Sequence, residues 1–337
     1  VGDDGEITGN KIGITHIVVK KGNLTSVCIV HVIDKDAQTA PMISAGNSHV
    51  IALKSDGTVW TWGNNEYGQL GDGSVSCAYE PINVTALNGK DIVSVHAGEY
   101  HSIALTRDGE VYTWGHNDYG QLGLGNASIV VSTPQKVESL PEIVSISAGK
   151  QHTMVLGADG YVYSFGDNSL GQLGAPSKDT SKRSSTPVVA QGLNKVISIS
   201  IGAGGSATKA VRYDGTLWGW GENSNHQINN TNNRYYSYPV KIDLGDEFNG
   251  HILKTYDGLY HVVAMLDNGR IISWGANSEG QLGQGIDESG SLLYYAPDYV
   301  DVFDGTNNYA VDISVGALHN LAITADGRVM SWGSADL

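Results

Sequence analysis

Five histidines stand at one register of this chain, His49, His101, His152, His261 and His319, each three residues after a glycine. Imidazoles gathered on one point would make a metal centre, and zinc needs three or four ligands within a few ångströms of the ion. These five are spread over units of roughly fifty residues. Equivalent positions of successive units lie on a ring around an axis, not at a common point. The expected role is a buried imidazole satisfied by backbone groups, and Ala207 at the same register shows one unit doing without it. No metal and no cofactor are expected.

Acid–base chemistry is open in principle, because a glycosidase needs only two carboxylates at the right separation, and Asp246-Glu247 and Asp287-Glu288 supply acids. The chain has no Gly-x-Ser-x-Gly elbow, no His-Glu-x-x-His and no cysteine paired with a recurrent base. Gly-Gln-Leu-Gly is no phosphate loop, since it lacks the Lys-Ser/Thr and a following helix. No catalytic residue is assigned. Recognition chemistry is better represented. Tyr235, Tyr236 and Tyr238 follow the fourth Trp-Gly pair, and Tyr294 and Tyr295 follow the fifth. Tyr100 and Tyr260 precede a repeat histidine, and Tyr67 and Tyr119 sit just after a Trp-Gly. Tyrosine among Ser, Asn and Gly gives large contact area at small entropic cost, the composition of adaptable binding loops. These nine are the candidate binding residues; the alternative is that the loop tyrosines cap outer faces of the fold.

The elements that position them repeat. The Trp-Gly glycine recurs at Gly63, Gly115, Gly166, Gly221, Gly275 and Gly333, a period that signals an array of similar units. In each unit a short apolar run, such as His101–Thr106, meets a turn (Asp108-Gly109), then an alternating run ending in Trp114-Gly115. Asp-Gly between apolar runs predicts a hairpin with a type I′ turn. A β-rich run precedes each hairpin and another follows, so each unit reads as four short strands, a propeller blade. The tryptophans, with Phe165 in the third copy, are expected to pack between blades. Asn65, Asn117, Asn168, Asn223 and Asn277 are expected to hydrogen-bond their own loops.

These spaced elements, Ala-Gly-x-x-His, Asp-Gly, Trp-Gly, Asn and Gly-Gln-Leu-Gly (residues 68–71, 120–123, 171–174 and 280–283), resemble the regulator of chromosome condensation repeat over about residues 40–333. The resemblance implies an all-β fold, a β-propeller of four-stranded antiparallel blades, usually seven in the family. Six repeats are recognisable, and a seven-bladed closure using the N-terminal strands is the alternative. The chain departs from the pattern at Ala207, at His226 and Asn229, at Asp257-Gly258, and at Gly333-Ser334-Ala335, where the sixth copy stops. Residues 1–35 resemble the end of a bacterial immunoglobulin-like module of group two, or a ring-closing hairpin; residues 36–337 are expected to form the propeller.

Composition narrows the partners. With 35 acids against 20 bases, the formal charge is -15, opposite to what gripping phosphate backbones requires, so nucleic acid is not expected. No run of 18 apolar residues exists, so membrane insertion is not expected. Val1-Gly2-Asp3-Asp4 has no leader pattern, and the chain is expected to be part of a larger multidomain protein. Cys28 and Cys77 are read as two unrelated thiols. The function expected is a non-catalytic, extracellular or cell-surface bacterial binding propeller that takes a protein or carbohydrate ligand. A secreted enzyme inhibitor and a polysaccharide-acting propeller enzyme are the alternatives. The nucleotide-exchange role implied by the family name is not expected of an acidic chain without a basic arm.

Overall fold

In a computed structural model, residues 13–21, 24–32, 37–125, 128–176, 182–202, 204–245, 248, 250–285, 295–303 and 309–335 are described, with backbone alone for 13–31 and for Tyr295. The chain is an all-β six-bladed propeller. Blade 1 comprises β3 (Met42–Ala45), β4 (His49–Leu53), β5 (Val59–Gly63) and β6 (Ala78–Asn83). Blade 2 is β7 (Ile92–Ala97), β8 (His101–Thr106), β9 (Val111–His116) and β10 (Val130–Lys136); blade 3 is β11 (Ile143–Ala148), β12 (His152–Gly157), β13 (Val162–Asp167) and β14 (Arg183–Val189). Blade 4 is β15 (Val196–Ile201), β16 (Ala207–Arg212), β17 (Leu217–Glu222) and β18 (Tyr235–Lys241). Blade 5 is β19 (Ile252–Asp257), β20 (His261–Leu266), β21 (Ile271–Gly275) and β22 (Tyr295–Tyr299). Among the described residues blade 6 has three strands, β23 (Ala310–Val315), β24 (His319–Thr324) and β25 (Val329–Gly333). All pairings are antiparallel, in chain order from the inner strand outward.

The N-terminal strands β1 (Gly13–Lys21) and β2 (Leu24–Val32) form a sheet of their own and complete no blade. Blade 6 packs one sheet face on blade 5; the other is open at Leu321, Ile323 and Val329, which are exposed, while its inner strand β23 runs close to β1.

The turn between the second and third strands differs from the sequence expectation. Gly57 N–H donates to Lys54 O, Lys54 N–H to Thr58 O, and positive φ occurs at the glycine only. The loop is therefore a three-residue type I turn closed by a left-handed glycine, not the two-residue I′ form. The extra residue is accommodated because Asp56 accepts from the Thr58 N–H at 3.0 Å.

Between blades, the repeated residues form one clasp. The Ser102 hydroxyl donates to Gln69 O, so the Nε2–H of His49 must donate to that hydroxyl, at 3.0 Å. His101 is held in the same way by Thr153, whose hydroxyl donates to Gln121 O, and His152 by Thr208, which donates to Gln172 O. His261 donates to Asn320 Oδ1 at 2.8 Å. The glutamine carbonyl also accepts the indole N–H of the following blade: Trp114 to Gln69 O, Trp220 to Gln172 O, Trp274 to Gln227 O and Trp332 to Gln281 O. The histidine partner is thus a side chain of the next blade, not the expected backbone group. His319 departs further. It lies on the open face of blade 6 and is exposed.

The glycine three residues before each histidine is explained by contact. A Cβ on Gly98 would stand 2.5 Å from His101 Nδ1 and 2.8 Å from Gly149 O. Gly98→Ala is expected to lower stability by about 1–3 kcal/mol through overpacking. Gly204→Ala, in the corresponding β15–β16 connection where the nearest atom is 3.3 Å away, is expected to be nearly silent; paired urea denaturation curves check both.

The junction of blades 4 and 5 is built differently. Ala207 replaces the histidine, and Val262 replaces the hydroxyl that would have received it. Two steps along β16, Lys209 ion-pairs with Asp257 at the end of β19, both fully buried. The Ser200 hydroxyl donates to the other Asp257 oxygen and sits 2.6 Å from Thr255 Oγ1. At the same two positions the other junctions hold apolar pairs, such as Ile51 with Ala97 and Ile103 with Ala148.

Candidate functional site

Antiparallel order puts two sets of connections on one face of the ring: first strand to second, and third strand to fourth. Three of the candidate tyrosines meet there. Tyr67 lies in the β5–β6 connection, Tyr100 between β7 and β8, and Tyr119 between β9 and β10. Their common neighbour is His116, at the end of β9. Ring centroids are 4.5 Å from Tyr67 to His116, 5.3 Å from Tyr67 to Tyr100, and 6.4 Å from His116 to each of Tyr100 and Tyr119. The tilted and edge-on geometries are those aromatic rings prefer. All three tyrosines are half-buried, while His116 beneath them is buried.

The scaffold beneath is rigid for reasons visible in the chain. Asn65 Oδ1 accepts the Leu70 N–H at 2.9 Å, and its amide donates to Ser74 O and Ser76 O, closing the loop that carries Tyr67. Asn117 accepts from the Leu122 N–H and donates to Ser128 O. The Gln69 and Gln121 side chains accept the N–H groups of Tyr67 and Tyr119 at 2.9 and 3.0 Å. Gln121 also bonds His116 Nδ1 at 2.9 Å, which leaves Nε2 as the imidazole donor, 4.0 Å from Asp118. Asn47 donates to the Tyr100 hydroxyl.

Each tyrosine follows an acid: Glu66-Tyr67, Glu99-Tyr100 and Asp118-Tyr119. Glu66 and Asp118 are exposed. Burial pushes the Glu99 carboxyl up, and nearby Lys150 pulls it back. Burial also holds the His116 imidazole below its ordinary value, partly offset by Asp118. The cluster is therefore aromatic, with the buried His116 held toward its neutral form at the centre and the acids Glu66, Glu99 and Asp118 around its rim.

The remaining sequence candidates do not join it. Tyr260 is exposed in the β19–β20 connection of blade 5. Tyr235 and Tyr238 are exposed, and Tyr236 is half-buried against the apolar clusters between blades 3 and 4 and between blades 4 and 5. These three lie in strand β18, so for Tyr236 the capping alternative describes its position. Tyr294 and the Tyr295 side chain lie outside the described residues, as do Asp246, Glu247, Asp287, Glu288 and the Cys28 side chain. Cys77 is an exposed free thiol. Among the described residues no three His, Cys, Asp or Glu side chains gather as metal ligands, and no helix is long and apolar enough to cross a membrane. Sequence reasoning missed His116 and Asn47. His116 carried a signal, because the residue after the Trp-Gly pair is Asn64, Asp167, Glu222, Ala276 or Ser334 in the other copies.

Comparison with known proteins agrees with this architecture. A family model described as RCC1-like domain matches residues 8–337. The ultraviolet-B receptor UVR8 of Arabidopsis thaliana is 33% identical over 308 residues, 88% of this chain and 67% of the receptor. The E3 ubiquitin-protein ligase HERC2 of Mus musculus is 30% identical over 299 residues, 86% of this chain but only 6% of the ligase. Yeast RCC1 (Prp20), in its structure with Kap60, superposes with a TM-score of 0.74 at 24% identity, over 86% of this chain and 69% of that one. Human WBSCR16 gives 0.71 at 24% identity, over 88% and 73%. With its repeats, its clasps and a match over nearly its whole length, the chain belongs to the RCC1-like domain family.

Proposed function

We propose that this propeller is a non-catalytic recognition module that holds a protein ligand on the Tyr67–Tyr100–His116–Tyr119 cluster. The observation that carries the reading is the convergence of three half-buried tyrosines from three separate connections onto one rigid platform. Partly exposed aromatics on a fixed scaffold are the anchors around which interface energy concentrates. Propellers of this family typically serve as protein-binding scaffolds, and yeast RCC1 is seen bound to Kap60. The imidazoles of His49, His101, His152 and His261 are buried, with Nε2–H given to the next blade and Nδ1 closed in, so they serve the scaffold and stand apart from the cluster. An extracellular setting is part of the proposal and rests on the resemblance of the first 35 residues alone.

The test is a peptide-display selection and a glycan array run with the wild type and with the Tyr67→Ala/Tyr100→Ala/Tyr119→Ala variant. Peptide ligands lost on the variant are expected. Identical profiles would remove the cluster from the function, and glycan hits alone would make the ligand a carbohydrate.

A further inference from the structure

Charges on the two faces of the ring are arranged differently. On the face of the Asp-Gly turns, four acids have basic partners, Asp56 with Lys54 at 3.0 Å, Asp91 with Arg107 at 3.0 Å, Glu110 with Lys136 at 2.8 Å and Asp326 with Arg328 at 2.7 Å, while Asp108 and Asp159 have none within ion-pair distance among the described residues. On the tyrosine face, Glu66 and Asp118 have no lysine or arginine within ion-pair distance among the described residues. Glu99, beside Tyr100, keeps one carboxylate oxygen buried without a hydrogen-bond partner there. The basic groups nearby are Lys150, facing Glu99, and Arg183, which donates to the Asp118 carbonyl oxygen and not to its carboxylate. Three tyrosine rings thus stand among three acids whose charge the chain itself leaves largely unanswered.

From this we infer that the tyrosine cluster takes a cationic side chain of its partner, an arginine or lysine presented by a basic protein segment. The inference rests on the cluster being the binding site, as proposed above, and adds the chemistry of the ligand. A guanidinium or ammonium is drawn to the negative faces of the rings, and the flanking carboxylates accept its N–H donors in charge-assisted hydrogen bonds. The excess of acids over bases in the whole chain would speed the encounter with such a partner.

The experiment titrates the protein with a short Gly-Ser peptide carrying spaced arginines and with the same peptide carrying citrulline, an uncharged isostere. At moderate salt the arginine peptide is expected to bind at least about tenfold more tightly, in line with a desolvated cation–π contact plus a charge-assisted hydrogen bond. Tyr67→Leu/Tyr100→Leu/Tyr119→Leu, which changes no formal charge, is expected to erase the difference, as is Glu66→Gln/Asp118→Asn. A circular-dichroism melt checks that each variant is folded, and Tyr67→Leu alone serves if the triple variant is not. Equal binding of the two peptides would overturn the inference. So would an arginine preference that survives the Tyr→Leu changes, which would make it diffuse attraction to an acidic protein. Cluster-dependent peptide ligands without basic residues would overturn the cationic assignment and leave the binding site standing, whereas unchanged profiles in both experiments would remove both.

Discussion

Lowering the pH from 7.5 to 5 is expected to destabilise this propeller by several kcal/mol, and the clasped histidines are the reason. Burial pushes His49 and His261 down to about 4, and His101 and His152 down to about 3. The geometry explains why protonation is resisted. Nε2 already carries the proton given to the next blade, so a second must go to Nδ1. In all four rings Nδ1 is buried against the glycine three residues earlier and makes no hydrogen bond. In the unfolded chain the same groups titrate near 6.5. Their folded values are depressed, so the contribution is complete above about pH 7. It is lost as the pH falls through 6.5 toward 4, because the unfolded state then binds more protons. At pH 5 the loss is about 2 kcal/mol per imidazole. His101→Gln, which can still donate to Thr153, is expected to flatten the pH dependence by about that amount. Urea denaturation of both proteins at pH 7.5 and 5 measures it, and identical pH slopes would rule the clasp out as the cause.

The second large effect is at the junction of blades 4 and 5. Removing either partner of a buried ion pair strands the other charge, at a cost of about 3–5 kcal/mol. Lys209→Ile alone and Asp257→Ala alone should each show it, since both side chains are fully buried. Together, K209I/D257A reproduces the Ile103–Ala148 pair found two junctions earlier around the ring. The double variant is expected to lie within about 1 kcal/mol of the wild type, or above it, because an apolar pair of fitting volume replaces a buried ion pair at little net cost. A double-mutant cycle from urea midpoints would expose the coupling, and additive losses would mean that the pair is not a closed unit.

Most of the architecture could be read along the chain because propeller blades are local. Each Asp-Gly turn joins neighbouring strands, and each Asn after a Trp-Gly closes its own loop, so sequence spacing and spatial contact coincide. What lay across blades was harder. The partner of His101 is Thr153, in the next unit, and periodicity says only that both positions recur. Yet a trace was there: Ser102, Thr153, Thr208 and Asn320 follow units that have the histidine, and Val262 follows the one unit with Ala207. The exposure of His319 was not legible, because the open face of blade 6 depends on what packs there. The tyrosine site was half legible. Residue type picked out Tyr67, Tyr100 and Tyr119, but their convergence and the place of His116 beneath them depend on the angle between blades. Tyr235, Tyr236 and Tyr238, chosen on the same composition, form a strand because β18 pairs with β17 through Gly221 and Tyr236.

The division of labour between repeated and unlike residues is tested most directly by measuring stability and binding on the same two variants. His101→Ala is expected to lower the urea midpoint at pH 7.5 while the folded fraction still binds the cluster-dependent peptides. Tyr67→Ala/Tyr100→Ala/Tyr119→Ala is expected to keep most of the midpoint and lose those peptides. The account would be contradicted by the reverse pattern, with binding lost when the imidazole is removed and retained when the three rings are gone.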